Sequence, residues 1–266
     1  MKKELARHFE IDERKFSLFP NLPSYNWAGG FMNPVIKTRL FQQRRGQLRV
    51  GVMSSLSHYE TMDITNQTED DFQIVVDAAK KLKGRVKLKW VLPLNNDSNP
   101  MAKRILDAAG SEQVEIVKQV PIQLFPRHYQ SLGLDVVAVP LLKNTFNDCK
   151  SNIKLLEAAA MGVLPIVSES DAYDPFIDRK WQFKDADGLA DRIIQARSLT
   201  TDAYGKVIED NYRKFYGGQT DYYGIKLNGY FLDNNLMMAM DAFFGQDKPL
   251  AEDQIVPPKV RGGQKN

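Results

Sequence analysis

A single cysteine, Cys149, stands among 266 residues; this excludes a disulfide within the chain and points to a reducing compartment. No stretch approaches the roughly 18 apolar residues of a membrane span. The N-terminus, "MKKELARHFEIDERKF", is positively charged but has neither the apolar core nor the cleavage site of a secretory signal. A soluble, cytoplasmic protein is the expectation. Low-complexity segments and internal repeats are missing as well. The net charge of +3 is too small for a protein that coats nucleic acid, although it permits contact with an anion. Phosphate-cradling glycines are also missing. The first strand–helix junction, "SSLSHYETMD", contains neither the G-x-G-x-x-G turn nor a Walker loop, which argues against nicotinamide, flavin and P-loop classes. No cluster of metal-ligating residues stands out, so no metal and no resident cofactor are expected.

What is present is an ordinary globular balance, 43% apolar and 26% charged, enough for a sizeable core. From residue 49 strands and helices alternate: "RVGVMSS" then "EDDFQIVVDAAKKLKG", "VKLKWVLPL" then "NPMAKRILDAAG", "VEIVKQV" then "FPRHYQSLG". "LDVVAVPLL", a nearly continuous apolar strand, leads into the helix of "KSNIKLLEAAAMG". "VLPIVS" follows, and "DADGLADRIIQARSL" is a helix that opens on a capping aspartate. Connections too long for hairpins make this an α/β fold: a doubly wound, mostly parallel, Rossmann-like sheet over residues 47–199. Residues 1–46 are a lead-in with a short helical pattern and a brief strand at "KFSLFPNLPSYNW". Residues 200–246 are a helical, aromatic-rich extension whose aromatics are most simply packing groups. Residues 247–266 have the composition of a disordered tail.

Ligands of open α/β sheets sit beyond the carboxyl ends of the strands. Three junctions qualify. In the first, Ser54, Ser55 and Ser57 can donate hydrogen bonds and His58 can approach a phosphate. The second, "LNNDSNP", reads as helix capping. The third, "LLKNTFNDCKSN", is the informative one. On a helix starting at Ser151, the residues Ser151, Lys154 and Glu157 share a stripe roughly 120° wide at ~100° per residue. Ile153, Leu155, Leu156, Ala159 and Ala160 take the opposite, sheet-packing side. Free N–H groups and the positive dipole end near Ser151 suit an anion, with Lys150 and Lys154 beside them. Glu157, two turns deeper, suits a diol. A phosphate and a sugar diol in that order describe a nucleotide; an N-capped surface helix with a Lys–Glu pair is the plainer alternative.

The stretch "LDVVAVPLLKNTFNDCKSNIKLLEAAAMGVLPIVSESDAY" resembles the donor-binding half of GT-B glycosyltransferases, most closely the group-1 families. The shared pattern is an aspartate-led strand ending in Pro-Leu, then Phe-Asn, Lys-Ser, Lys and Glu, then an Ala-Gly-Pro strand. Upstream, "FSLFPNLPSYNW" and "LRVGVMSSLSHYETMD" resemble the segments that open the donor domain. The resemblance implies that Glu157 binds the ribose of a nucleoside-diphosphate sugar. It also implies that Ser151 and Asn152 offer N–H groups to the pyrophosphate and that Lys150 and Lys154 offset its charge, with Asn147 in the same loop. Helix dipoles and cations, not a metal, would then stabilise the departing diphosphate.

Two departures accompany it. The first glutamate of the family's Glu-x7-Glu pair is replaced by Cys149, a residue also readable as a small packing group. The acceptor half of a GT-B enzyme is not found in residues 1–46, so a protein partner or self-association is expected to complete the cleft. No catalytic base stands out. The expectation is therefore a glycosyltransferase donor domain; a catalytically inactive structural or protein-binding module is the alternative, and a nucleotide-dependent epimerase of similar build a third.

Overall fold

The computed structural model describes residues 33–44, 47–53, 71–94, 99–144, 147, 150–174 and 176–216. The strand expected at "KFSLFPNLPSYNW", the rest of the aromatic extension and the tail lie outside the described residues. So do Ser54, Ser55, Ser57, His58 and Cys149.

The elements run α1 (Pro34–Gln43), β1 (Leu48–Gly51), α2 (Asp71–Leu82), β2 (Leu88–Leu92), α3 (Pro100–Ala109), β3 (Val114–Ile116) and α4 (Phe125–Ser131). They continue through β4 (Val136–Val139), α5 (Ile153–Met161), β5 (Leu164–Ser168), β6 (Gln182–Phe183), α6 (Ala186–Ser198) and α7 (Thr201–Tyr216). The described strands form one six-stranded sheet in the order β3-β2-β1-β4-β5-β6. Every pairing is parallel: Val50 faces Trp90 on one side and Val136 on the other, Val136 faces Leu164, and Val167 faces Gln182. This is the Rossmann-like α/β fold, and it carries further helix beyond α6. No described helix is long and apolar enough to cross a membrane.

Local chemistry accounts for the elements. All of β4 and β5 is buried, as a parallel strand covered on both faces must be. Helix α2 turns Phe72, Val75, Val76, Ala78, Ala79 and Leu82 inward and keeps its lysines outward. Asn99 caps α3 by accepting from the Met101 N–H at 2.8 Å, with Pro100 in the first turn, so this junction is capping chemistry as expected. Asp185 caps α6 through the Gly188 N–H at 2.8 Å. Strand β6 was not anticipated: two residues long, it is too short to leave a sequence pattern.

Strand order reverses its direction of growth between β1 and β4, so the two central strands lead to helices on opposite faces. A crevice therefore opens at their carboxyl ends. The amino-terminal edge is closed by structural contacts instead. There Asp135 is buried and its Oδ2 accepts the Arg49 N–H at 2.8 Å, while Arg49 forks onto Glu115 with two 3.0 Å bonds. Lys37 of α1 is buried beside this carboxylate, and Arg44 approaches it at 3.7 Å. From α7, Tyr204 stacks on Phe41 with centroids 4.0 Å apart and donates its hydroxyl to the Asp135 carbonyl at 2.9 Å.

Candidate functional site

The segment from β4 to α5 supplies the residues singled out by sequence, and its backbone is held by long-range hydrogen bonds. Ser168, at the end of β5, accepts the Leu141 N–H at 2.8 Å. Asp71, the first residue of α2, accepts the Leu142 N–H at 2.6 Å. Asn147 is 97% enclosed, with 3% of its surface exposed, and its Nδ2 donates to the Leu142 carbonyl at 2.7 Å and to Asp71 at 3.3 Å. Asn147 thus works as a staple across its own loop. Its Oδ1 is buried without a partner among the described residues.

Helix α5 forms because Leu and Ala dominate "IKLLEAAAM". It ends at Gly162, whose left-handed backbone (φ 60°, ψ 45°) suits the residue without a Cβ, and whose N–H reaches the Ala158 and Ala159 carbonyls. Its start corrects the expectation: the helix begins at Ile153, not Ser151, and Asn152 holds the cap position without a side-chain capping bond. Ser151 is exposed ahead of the helix. Asn152 is buried, and its Nδ2 has no partner among the described residues. Its carbonyl accepts from Leu155 at 2.9 Å and from Leu156 at 3.3 Å, closing the first turn.

A second correction concerns the helix faces. Leu155, Leu156, Ala159 and Ala160 are buried as expected, but Ile153 is 47% exposed. Ala158 and Met161, on the side assigned to the polar stripe, are buried too. The physical reason is that α7 also packs on α5. Only the first turns reach the crevice.

Glu157 and Lys154 meet there at 2.9 Å, with side chains 12% and 24% exposed. Burial holds the Glu157 carboxyl above its ordinary range, and the ammonium of Lys154 opposes that rise. Lys154 also stands 5.9 Å over the Phe125 ring of α4. Burial raises the phenols of Tyr129 and Tyr173, and the Glu157 charge adds to both shifts. Lys150 lies 3.9 Å from Asp71; burial lowers its pKa and Asp71 partly restores it.

Six of the eight candidate residues, Asn147, Lys150, Ser151, Asn152, Lys154 and Glu157, therefore share one loop and helix mouth. Ser55 and His58 lie outside the described residues. Asp71, Phe125, Tyr129 and Tyr173 were not singled out by sequence.

Chemically, the mouth of α5 offers unsatisfied N–H groups, the positive end of a helix dipole and a half-buried ammonium. One helical stretch further in, roughly 6 Å at 1.5 Å per residue, stands a carboxylate able to accept from hydroxyl groups. Among the described residues no group of three or more potential ligands is placed to hold a metal ion. No protein-family model matches the chain, and no curated protein matches it.

Proposed function

We propose that this chain binds a nucleoside-diphosphate sugar and acts as the donor-binding half of a GT-B-type glycosyltransferase. The observation that carries the reading is the placement of Lys150, Asn152, Lys154 and Glu157 at the mouth of the helix following β4, beside the β1/β4 switch point. In this reading the diphosphate lies against the helix N-terminus, where the free N–H groups and Lys150 offset its charge. Asn152 Nδ2, buried without an acceptor among the described residues, donates to a phosphate oxygen. Glu157 accepts from the ribose diol, and Lys154 is drawn from Glu157 toward the phosphates. The leaving diphosphate is stabilised by charge and dipole, an arrangement most effective where water is excluded. The acceptor comes from a partner surface, which completes the cleft over the crevice.

One observation favours the alternative, a non-enzymatic structural or protein-binding module. Lys154 and Glu157 satisfy each other at 2.9 Å, and Lys150 faces Asp71, so internal pairing alone accounts for much of the stripe. Calorimetric titration with UDP, GDP and their common sugars separates the two. Binding that weakens at least tenfold in Glu157→Ala and in Lys154→Ala is expected for a donor site. A folded protein that takes up no nucleotide at millimolar concentration would leave the module reading in its place.

A further inference from the structure

The same edge of the sheet holds a second feature that the nucleotide reading does not use. A cavity of about 190 Å³ opens at the carboxyl end of β5, lined by Lys143, Glu169, Ser170, Asp171, Asp174, Arg179 and Gln182. Its volume equals about six waters at ~30 Å³ each, well under the roughly 300 Å³ at which pockets for larger organic ligands begin. The wall is built on fixed backbone. Glu169 donates its N–H to Phe183 of β6 at 2.8 Å, and Asp174 donates to the Ser170 carbonyl at 2.9 Å. Asp178 caps the short helix that carries Arg179, accepting from the Lys180 N–H at 3.0 Å.

The Ser170 hydroxyl on that wall accepts the Ala172 N–H at 3.2 Å. Among the described residues Lys143, Glu169, Asp171, Asp174 and Arg179 form no ion pair and no side-chain hydrogen bond, although both signs of charge line one small space. Gln182 is 3% exposed, and its Nε2 donates to the Ile177 carbonyl at 3.3 Å. Three carboxylates against two cations disfavour an anion. The carboxylates form no group placed to hold a metal ion. A zwitterion the size of an amino acid would satisfy one group of each sign and leave three charges idle. Hydroxyl groups both donate and accept, so a ring bearing several of them can engage carboxylates, guanidinium, ammonium and amide together.

We infer that this cavity is a binding site for a neutral polyol the size of one monosaccharide. The site is separate from the helix mouth that would hold the diphosphate, and the inference does not depend on the nucleotide reading. Saturation-transfer NMR on the full chain tests it, with glucose, galactose, mannose and N-acetylglucosamine as probes, and with glycine and inorganic phosphate as competing chemistries. At least one sugar is expected to bind at millimolar concentration and to weaken about tenfold in Asp174→Asn and in Arg179→Gln. Both positions are exposed, so an unchanged unfolding midpoint serves as the folding control. The same sugar should bind Glu157→Ala as it binds the parent. The inference is overturned if no sugar binds, if only glycine or phosphate binds, or if the two cavity variants leave sugar binding unchanged.

Discussion

Lys37 is 7% exposed, on a helix that covers the amino-terminal edge of the sheet. Burial lowers its pKa to about 8, against the opposing pull of Asp135. The folded protein therefore holds this proton less tightly than the unfolded chain, whose lysine titrates near 10.5. Below pH 8 both states are charged and the burial penalty is fully present; between about 8 and 10.5 the unfolded state binds more protons and stability rises with pH. A shift of this size corresponds to roughly 3 kcal/mol. Lys37→Met is expected to stabilise the protein by about 1–3 kcal/mol at pH 7, somewhat less than the full shift because Asp135 loses a neighbouring charge. It should also flatten the rise that the parent shows between pH 8 and pH 10. Urea midpoints of parent and variant across that range check both statements. At this scale the site was partly legible. Lysine, asparagine and glutamate in fixed spacing after an apolar strand were visible without coordinates. The role of Asp71 was not, because its partners Leu142 and Asn147 lie 71 and 76 residues further along the chain.

Elements were legible where periodicity ran long and failed where structure was short or covered twice. Alternation of strand and helix yielded the parallel sheet, and cap chemistry placed the starts of α3 and α6. The start of α5 moved two residues because Asn152, not Ser151, takes the cap position. Its exposed side narrowed because α7 covers residues that a wheel assigns to solvent. The β4–α5 loop in turn depends on α2 through Asp71. Asp71→Ala removes the acceptor of the Leu142 N–H and of Asn147 Nδ2 together, and also the charge facing Lys150. A loss of about 2–4 kcal/mol is expected, because the Leu142 N–H and the Lys150 ammonium lose their partner and Asn147 Nδ2 keeps only the Leu142 carbonyl. Asp71→Asn, which keeps one acceptor, should lose less. Chemical denaturation of the two variants side by side is the measurement, and equal losses would show that the hydrogen bonds are not what anchors the loop.

For the whole molecule, Tyr204 joins the last described helix to the centre of the sheet. Its ring stacks on Phe41 of α1 and its hydroxyl reaches the carbonyl that precedes β4. Tyr204→Phe is expected to cost about 1 kcal/mol for the lost hydrogen bond, and Tyr204→Ala about 3–5 kcal/mol for the cavity left among buried aromatics. Similar small losses in both variants, read from urea midpoints, would mean that α7 docks on the sheet without this anchor. The centre of the sheet has a further consequence during synthesis. Arg49 and Asp135, which flank the β1–β4 pairing, are 86 residues apart, so a nascent chain can lay β2 and β3 beside β1 long before β4 leaves the ribosome. Until then the inner edge of β1 is a row of open backbone donors and acceptors beside apolar side chains, the kind of edge that recruits stray strands. The crevice that would hold the ligand is thus created by the same step that closes this edge.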